Sequence, residues 1–201
     1  MSTEGVNEGR RRFLIGATSA VGAVGVVGAA VPFVKSWSPS AKAKNAGAPV
    51  VADISKLEVG QQMTVEWRGK PVWILRRSEE AMASLDKVEQ MGVLRDPDSS
   101  EAAQPEYIDG DARARDGHDN ILVMIGLCTH LGCSPLYRPD VAPEDLGKDW
   151  VGGYFCPCHG SKFDLSGRVY KSVPAPLNME IPPYYYISDT LIKIGEDGEA
   201  A

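Results

Sequence analysis

Two short loops hold every cysteine of the chain, "CTHLGC" at residues 128–133 and "CPCHGS" at residues 156–161, and with His130 and His159 they also hold two of its three histidines. Neither loop alone offers a full ligand set for a metal centre, so the fold must bring the two together. The spacing CxH gives Cys128 and His130; CxxH gives Cys156 and His159. Two thiolates and two imidazoles satisfy tetrahedral zinc. They also satisfy a two-iron, two-sulfide cluster in which two cysteines hold one iron and two histidines the other. The Cys-then-His order repeated in both loops is what that division requires, and a zinc finger has no such requirement.

One cysteine per loop is left over, Cys133 and Cys158. In an exported domain such a pair forms a disulfide, here stapling the two loops face to face. Closing the intervening loop is worth roughly 3.5 kcal/mol by chain entropy, less any strain. Gly132, Pro135, Pro157, Gly160 and Ser161 are small or rigid residues that let backbone amides and a hydroxyl approach sulfur.

Export is written at the other end of the chain. Phe13 to Val34 runs without a charge, long enough at about 1.5 Å per residue to cross a hydrocarbon core of roughly 30 Å. "GRRRFL" stands just before it and resembles a twin-arginine export signal, which places the amino terminus in the cytoplasm and the body outside. A small-x-small site, Ala41 and Ala43 in "SAKAK", lies well beyond the apolar run, so the segment reads as an uncleaved anchor. "SWSPSAKAKNAGAPV" has no apolar periodicity and reads as a linker. The organisation expected is thus a cytoplasmic segment at 1–12, a transmembrane helix at 13–34, a flexible hinge at 35–49 and a folded domain at 50–201, with the ligand loops inside a part spanning about 121–178.

The folded part reads mostly as strands. "QMTVEWRGKPVWILRR" alternates up to Trp67, turns around Gly69 and resumes at Val72, a hairpin. "ILVMIG" is a short buried strand that delivers the chain to Cys128, and "YYYISDTLIKIG" is a second hairpin with Ser188 and Asp189 at its turn. "SEEAMASLDKVEQMG" reads as a surface helix, with Ser78 as N-cap and Gly92 past its end. Residues 96–119 read as loop, with His118 a solvated side chain. The net charge of -6 conceals six bases against two acids in residues 1–49, which leaves 15 bases against 25 acids elsewhere. Such a body argues against a nucleic-acid surface and suits a basic protein partner.

"CTHLGC", "CPCHGS", the following "PAP", the "WRGKPV" hairpin and "PLNMEIPPYYYISDTLIKIG" together resemble the Rieske iron-sulfur protein of cytochrome bc-type quinol oxidoreductases over nearly the whole chain. That resemblance implies an antiparallel β-sandwich with an inserted cluster-binding subdomain. It implies one [2Fe-2S] cluster with Cys128 and Cys156 on the inner iron, His130 and His159 on the outer iron, and a Cys133–Cys158 disulfide. Leu131 would shield the cluster and Ser161 would donate a hydrogen bond to a bridging sulfide. His159 would take a proton from ubiquinol while the cluster takes one electron, with cytochrome b and a c-type cytochrome as partners in a dimeric, proton-translocating complex of the bacterial inner membrane, the head in the periplasm. Phe163 departs from the pattern, standing where a tyrosine hydroxyl bonds a cysteine sulfur. A ring-hydroxylating oxygenase needs a second iron site, and His118 alone cannot build a two-histidine triad. A Rieske ferredoxin lacks the disulfide pair, and "PPYYYISD" favours the respiratory quinol branch over plastoquinol-oxidising and arsenite-oxidising relatives.

Overall fold

The computed structural model describes residues 5, 7–41, 43 and 47–198; parts of the expected cytoplasmic segment and linker, including Lys42 and Lys44 of "SAKAK", lie outside them. The chain forms two compact units, Met1–Asn45 and Ala46–Ala201. The first is built on helix α1, Glu8–Ser36, which opens on Asn7 accepting a hydrogen bond from the Arg10 amide and has no buried residue. Its uncharged, apolar run and a length of about 43 Å at 1.5 Å per residue make it long and apolar enough to span a bilayer.

Strands dominate the second unit. β1 (Val50–Asp53), β9 (Leu191–Ile194) and β8 (Tyr184–Ser188) make one antiparallel sheet in the order β1-β9-β8. β2 (Gln62–Trp67), β3 (Lys70–Arg76) and β4 (Ile121–Ile125) make a second in sequence order. The β2–β3 hairpin pairs Trp67 with Lys70. Arg68 and Gly69 both take positive φ, 52° and 72°, as a two-residue turn matched to strand twist requires. β4 is buried at every position, which accounts for its unbroken apolar run. The second expected hairpin is present, but a bulge between Tyr186 and Ser188 moves its turn to Asp189 and Thr190.

Helix α2, Glu79–Gln90, is capped by Ser78, whose side chain accepts from the Ala81 amide, and buries Ser84, Leu85 and Val88. Just past it, the Arg95 amide donates to the Val169 carbonyl and the Lys171 amide to that of Val93. This short pairing, too brief to register as a pattern in sequence, ties the helix end to the segment behind the second ligand loop. The long loop that follows is better anchored than its polarity suggests. Arg115 lies 3.7 Å over the Tyr107 ring and donates to the Tyr184 carbonyl at 2.9 and 2.7 Å. His118 is not a solvated side chain: it is half-buried and stacks on Tyr186 with ring centroids 3.8 Å apart.

The third sheet, β5 (Leu136–Arg138), β6 (Gly153–Phe155) and β7 (Lys162–Phe163), carries the ligand loops. The first loop connects β4 to β5 and the second connects β6 to β7. Trp73 of β3 stacks on Tyr154 of β6 at 5.3 Å, and the Tyr154 hydroxyl bonds Gln62 at 3.0 Å, so this sheet is fastened to the central one. A Cβ on Gly126 would overlap the Trp73 ring, so the strand feeding Cys128 can pass there only as glycine. The stretch after β5 closes on itself: Arg138 grips Asp145 through two bonds of 2.8 and 2.9 Å, and the buried Trp150 donates to the Arg138 carbonyl.

Candidate metal centre

Both loops have the same backbone plan. In the first, the Cys128 amide donates to the Cys133 carbonyl at 2.7 Å and the Gly132 amide to the Cys128 carbonyl at 2.9 Å; in the second, Cys156 and Ser161 make the first bond at 2.8 Å and Gly160 and Cys156 the second at 2.9 Å. Gly132 and Gly160, at φ 78° and 77°, sit at equivalent positions. A left-handed residue is needed there to fold the chain back, and glycine takes it without strain. Each loop thus projects its candidate ligands from one tight turn.

A disulfide joins Cys133 to Cys158, as the leftover pair implied, and locks the two turns together. Cys128 and Cys156 remain free and buried, 3% and 2% exposed. The Cys156 sulfur lies within 4.8 Å of both disulfide sulfurs, but those two are already bonded and offer no ligand. Burial raises the Cys128 thiol above its ordinary range; the His130 amide and the Ser161 hydroxyl oppose the shift, and the neighbouring Cys156 sulfur adds to it. The two free sulfurs are therefore side by side. A metal must displace the proton before it binds such a thiol.

Beside the sulfurs, nearer to solvent, stand the imidazoles. His130 and His159 meet edge to face with centroids 4.8 Å apart; His130 is half-buried and His159 exposed. The His130 Nδ1 is buried and has no hydrogen-bond partner among the described residues, a costly condition unless a metal or ion fills the place. Two sulfurs inside and two imidazoles outside form two pairs at different depths. A single zinc ion calls all four ligands to one point, whereas a two-iron cluster needs this separation, so the residues present fit the cluster.

The surroundings fit as well. Ser161, fully buried, accepts from the Ala175 amide at 3.0 Å while its hydroxyl faces Cys128. Thr129, between two candidate ligands, donates to the Leu177 carbonyl at 2.6 Å and so pins the segment after Pro174–Pro176 over the first loop. No spacing rule points to Thr129. Leu131 is 72% exposed beside His130. Phe163 is fully buried in the same apolar cluster as Cys128 and Cys156.

These loops and this sheet define a class, and comparison with known proteins gives the same one: residues 104–184 match the Rieske [2Fe-2S] domain. Residues 1–40 match "Ubiquitinol-cytochrome C reductase Fe-S subunit TAT signal". The ubiquinol-cytochrome c reductase iron-sulfur subunit of Allochromatium vinosum is 56% identical over 100% of this chain and 95% of its own, and that of Rickettsia prowazekii is 43% identical over 92% and 93%. Among solved structures, a chain of a hyperthermophilic respiratory Complex III is 27% identical, covers 87% of this chain and 96% of its own, and superposes with a TM-score of 0.47. The chain belongs to the family of ubiquinol-cytochrome c reductase iron-sulfur subunits, electron-transfer proteins of respiratory chains.

Proposed function

We propose that Cys128 and Cys156 hold the inner iron and His130 and His159 the outer iron of the [2Fe-2S] cluster, and that the site oxidises ubiquinol at a cytochrome b partner. The carrying observation is the division of the four groups by depth, with an orphaned Nδ1 on His130. Two neutral imidazoles in place of two thiolates make such a cluster less negative, which supplies a one-electron acceptor of raised potential. The protein's own part is to present His159 to solvent, where its free ring nitrogen accepts a hydrogen bond from the quinol hydroxyl and then the proton. Leu131 covers the cluster edge. Ser161 donates to sulfur, which favours the reduced, more negative state.

The second electron of the quinol goes to cytochrome b. α1 anchors the chain in the bacterial inner membrane with the head in the periplasm, within a dimeric, proton-translocating complex, and the hinge at 35–49 lets the reduced head reach a c-type haem. Absorption and electron paramagnetic resonance spectra of the purified protein test the ligand reading directly, because zinc is silent in both; a colourless protein with stoichiometric zinc would overturn it. Replacing part of residues 36–50 with a stiff proline run should slow quinol-to-cytochrome turnover while leaving the cluster spectrum intact. Full turnover with the stiffened linker would remove the hinge from the mechanism.

Phe163 gives a graded test. Its ring fills the space of a tyrosine without the hydroxyl, so Phe163→Tyr should add one hydrogen bond to the Cys128 sulfur. Such a bond is worth on the order of 1 kcal/mol net, and only the part that strengthens on reduction moves the potential. A tenfold change in equilibrium constant is about 59 mV for one electron, so the expected rise is some tens of millivolts, with Ser161→Ala moving the other way. Protein-film voltammetry reads both shifts; a fall in Phe163→Tyr would show that the ring does not face the sulfur.

A further inference from the structure

We propose that Arg77, Arg113 and Arg168 form a buried cationic group, at the turn following the second ligand loop, that raises the reduction potential of the cluster by charge. The inference rests on the ligand placement proposed above. The three side chains are 2%, 0% and 0% exposed, and among the described residues the buried carboxylates are Asp164 at 0% and Asp96 at 7%. Three guanidinium groups thus face two carboxylates, an excess of one positive charge in the interior.

The bonds show why the group stays together. Arg168 donates from Nε to Asp164 at 2.7 Å, while the other Asp164 oxygen accepts from the Ser166 and Arg168 amides. Arg77, directly after β3, donates to the Ser166 hydroxyl at 2.7 Å and to the Asp119 carbonyl. Arg113, from the long loop after α2, donates to Gln104, to the Ser166 carbonyl at 3.0 Å and to the Met179 carbonyl at 2.8 Å. Asp96 is occupied by the Ser100 and Glu101 amides. The long loop therefore carries a cation into the ground on which the second ligand loop stands.

The charge is under-compensated. Burial pushes Arg77 down to about 10 even with Asp164 opposing, and Arg113 falls to about 10 by burial, with Arg168 and Arg77 adding to the depression. Both remain protonated at neutral pH. At the outer edge of Arg168, Glu89 and Asp111 approach to 3.6 and 3.4 Å but are about half exposed. The hydrogen bond to Asp111 raises the Glu89 carboxyl, and at this exposure water screens both side chains. The pair cannot neutralise the interior fully.

Proximity to the site follows from the chain. Arg77 and Arg113 both bond Ser166, five residues past Ser161 and at most about 17 Å from it along an extended strand, and Arg168 bonds Asp164, which directly follows Phe163 in the apolar cluster around Cys128 and Cys156. Reduction adds one negative charge to the cluster, and an uncompensated cation at such range in a poorly polarisable interior favours it. Salt screens a buried charge little.

The test is a redox titration of the full-length holoprotein followed by electron paramagnetic resonance. Arg113→Met removes the charge and keeps most of the volume; Arg113→Lys keeps the charge and loses the forked bonds. Arg113→Met should weaken reduction on the order of tenfold, about 59 mV for one electron, at low and high salt alike and with an unchanged line shape, while Arg113→Lys stays near the parent. The double variant Glu89→Gln/Asp111→Asn, at half-exposed positions that tolerate exchange, should shift the potential upward at low salt. Equal shifts in the Met and Lys variants, or none, would overturn the charge assignment. So would an unmoved or lowered potential in the double variant, which decides the matter even if Arg113→Met does not assemble. An unaltered protein lacking the Rieske spectrum would overturn the ligand placement and this proposal with it, whereas an intact spectrum with equal potentials overturns this proposal alone.

Discussion

His130→Ala should abolish the high-potential cluster while the two larger sheets stay folded. The imidazole is half-buried, its Nδ1 has no hydrogen-bond partner among the described residues, and it meets the His159 ring at 4.8 Å. On the proposed ligation, alanine leaves the outer iron one ligand short with an exposed loop around it. His159→Cys should have a different outcome with the same loss of function. A third thiolate adds negative charge, so any cluster that persists should fall from the Rieske range, about -150 to +300 mV, toward the roughly -400 mV of all-cysteine clusters. Quinol would no longer reduce it. Iron content, the resonance spectrum and quinol oxidation separate the two cases, and an unchanged spectrum in either variant would refute the ligand assignment. Circular dichroism should match the parent's in both, because β1–β4, β8 and β9 draw their core from residues such as Val72, Ile74, Val123 and Ile192 rather than from the ligand loops.

What sequence makes visible here is local. The β2–β3 hairpin is legible because its strands alternate and its turn holds Gly69, which takes positive φ freely; α2 is legible because Ser78 caps it and Gly92, at φ 64°, ends it. The ligand loops are legible because thiols and imidazoles are rare and their spacing is short. The buried arginines are not, since a charged residue reads as surface until its partners are known, and two of the three partners of Arg113 lie 53 and 66 residues away. The same separation hides the stacking of His118 on Tyr186 and of Trp73 on Tyr154, which fasten the long loop and the third sheet to the rest. Gly126 could have marked a close approach of backbone to a bulky neighbour, a hint that glycine within a strand pattern often gives.

The disulfide offers the second large effect, because it is the covalent link between the two ligand loops. Cys133 and Cys158 are bonded across a separation of 25 residues, and each sits in the tight turn that carries the candidate ligands. Cys133→Ser removes no ligand. It should nonetheless cost roughly 3.5 kcal/mol through the chain entropy of the opened loop, less any strain relieved, and the cost should fall on the cluster-binding part. Cys133 and Cys158 project from one turn each, so opening the bond lets the Cys128–Cys156 pair and the His130–His159 pair separate together. The expected result is a cluster that assembles poorly and is lost on mild heating, while the core around β2–β4 melts close to the parent temperature. Following iron release and unfolding side by side reads this directly. Simultaneous loss of both with the parent's midpoint would mean that the bond contributes little to holding the loops. Thiol labelling supplies the independent check: the parent should present no reactive pair at 133 and 158, and finding both sulfurs reduced in the mature exported protein would rule out the staple altogether.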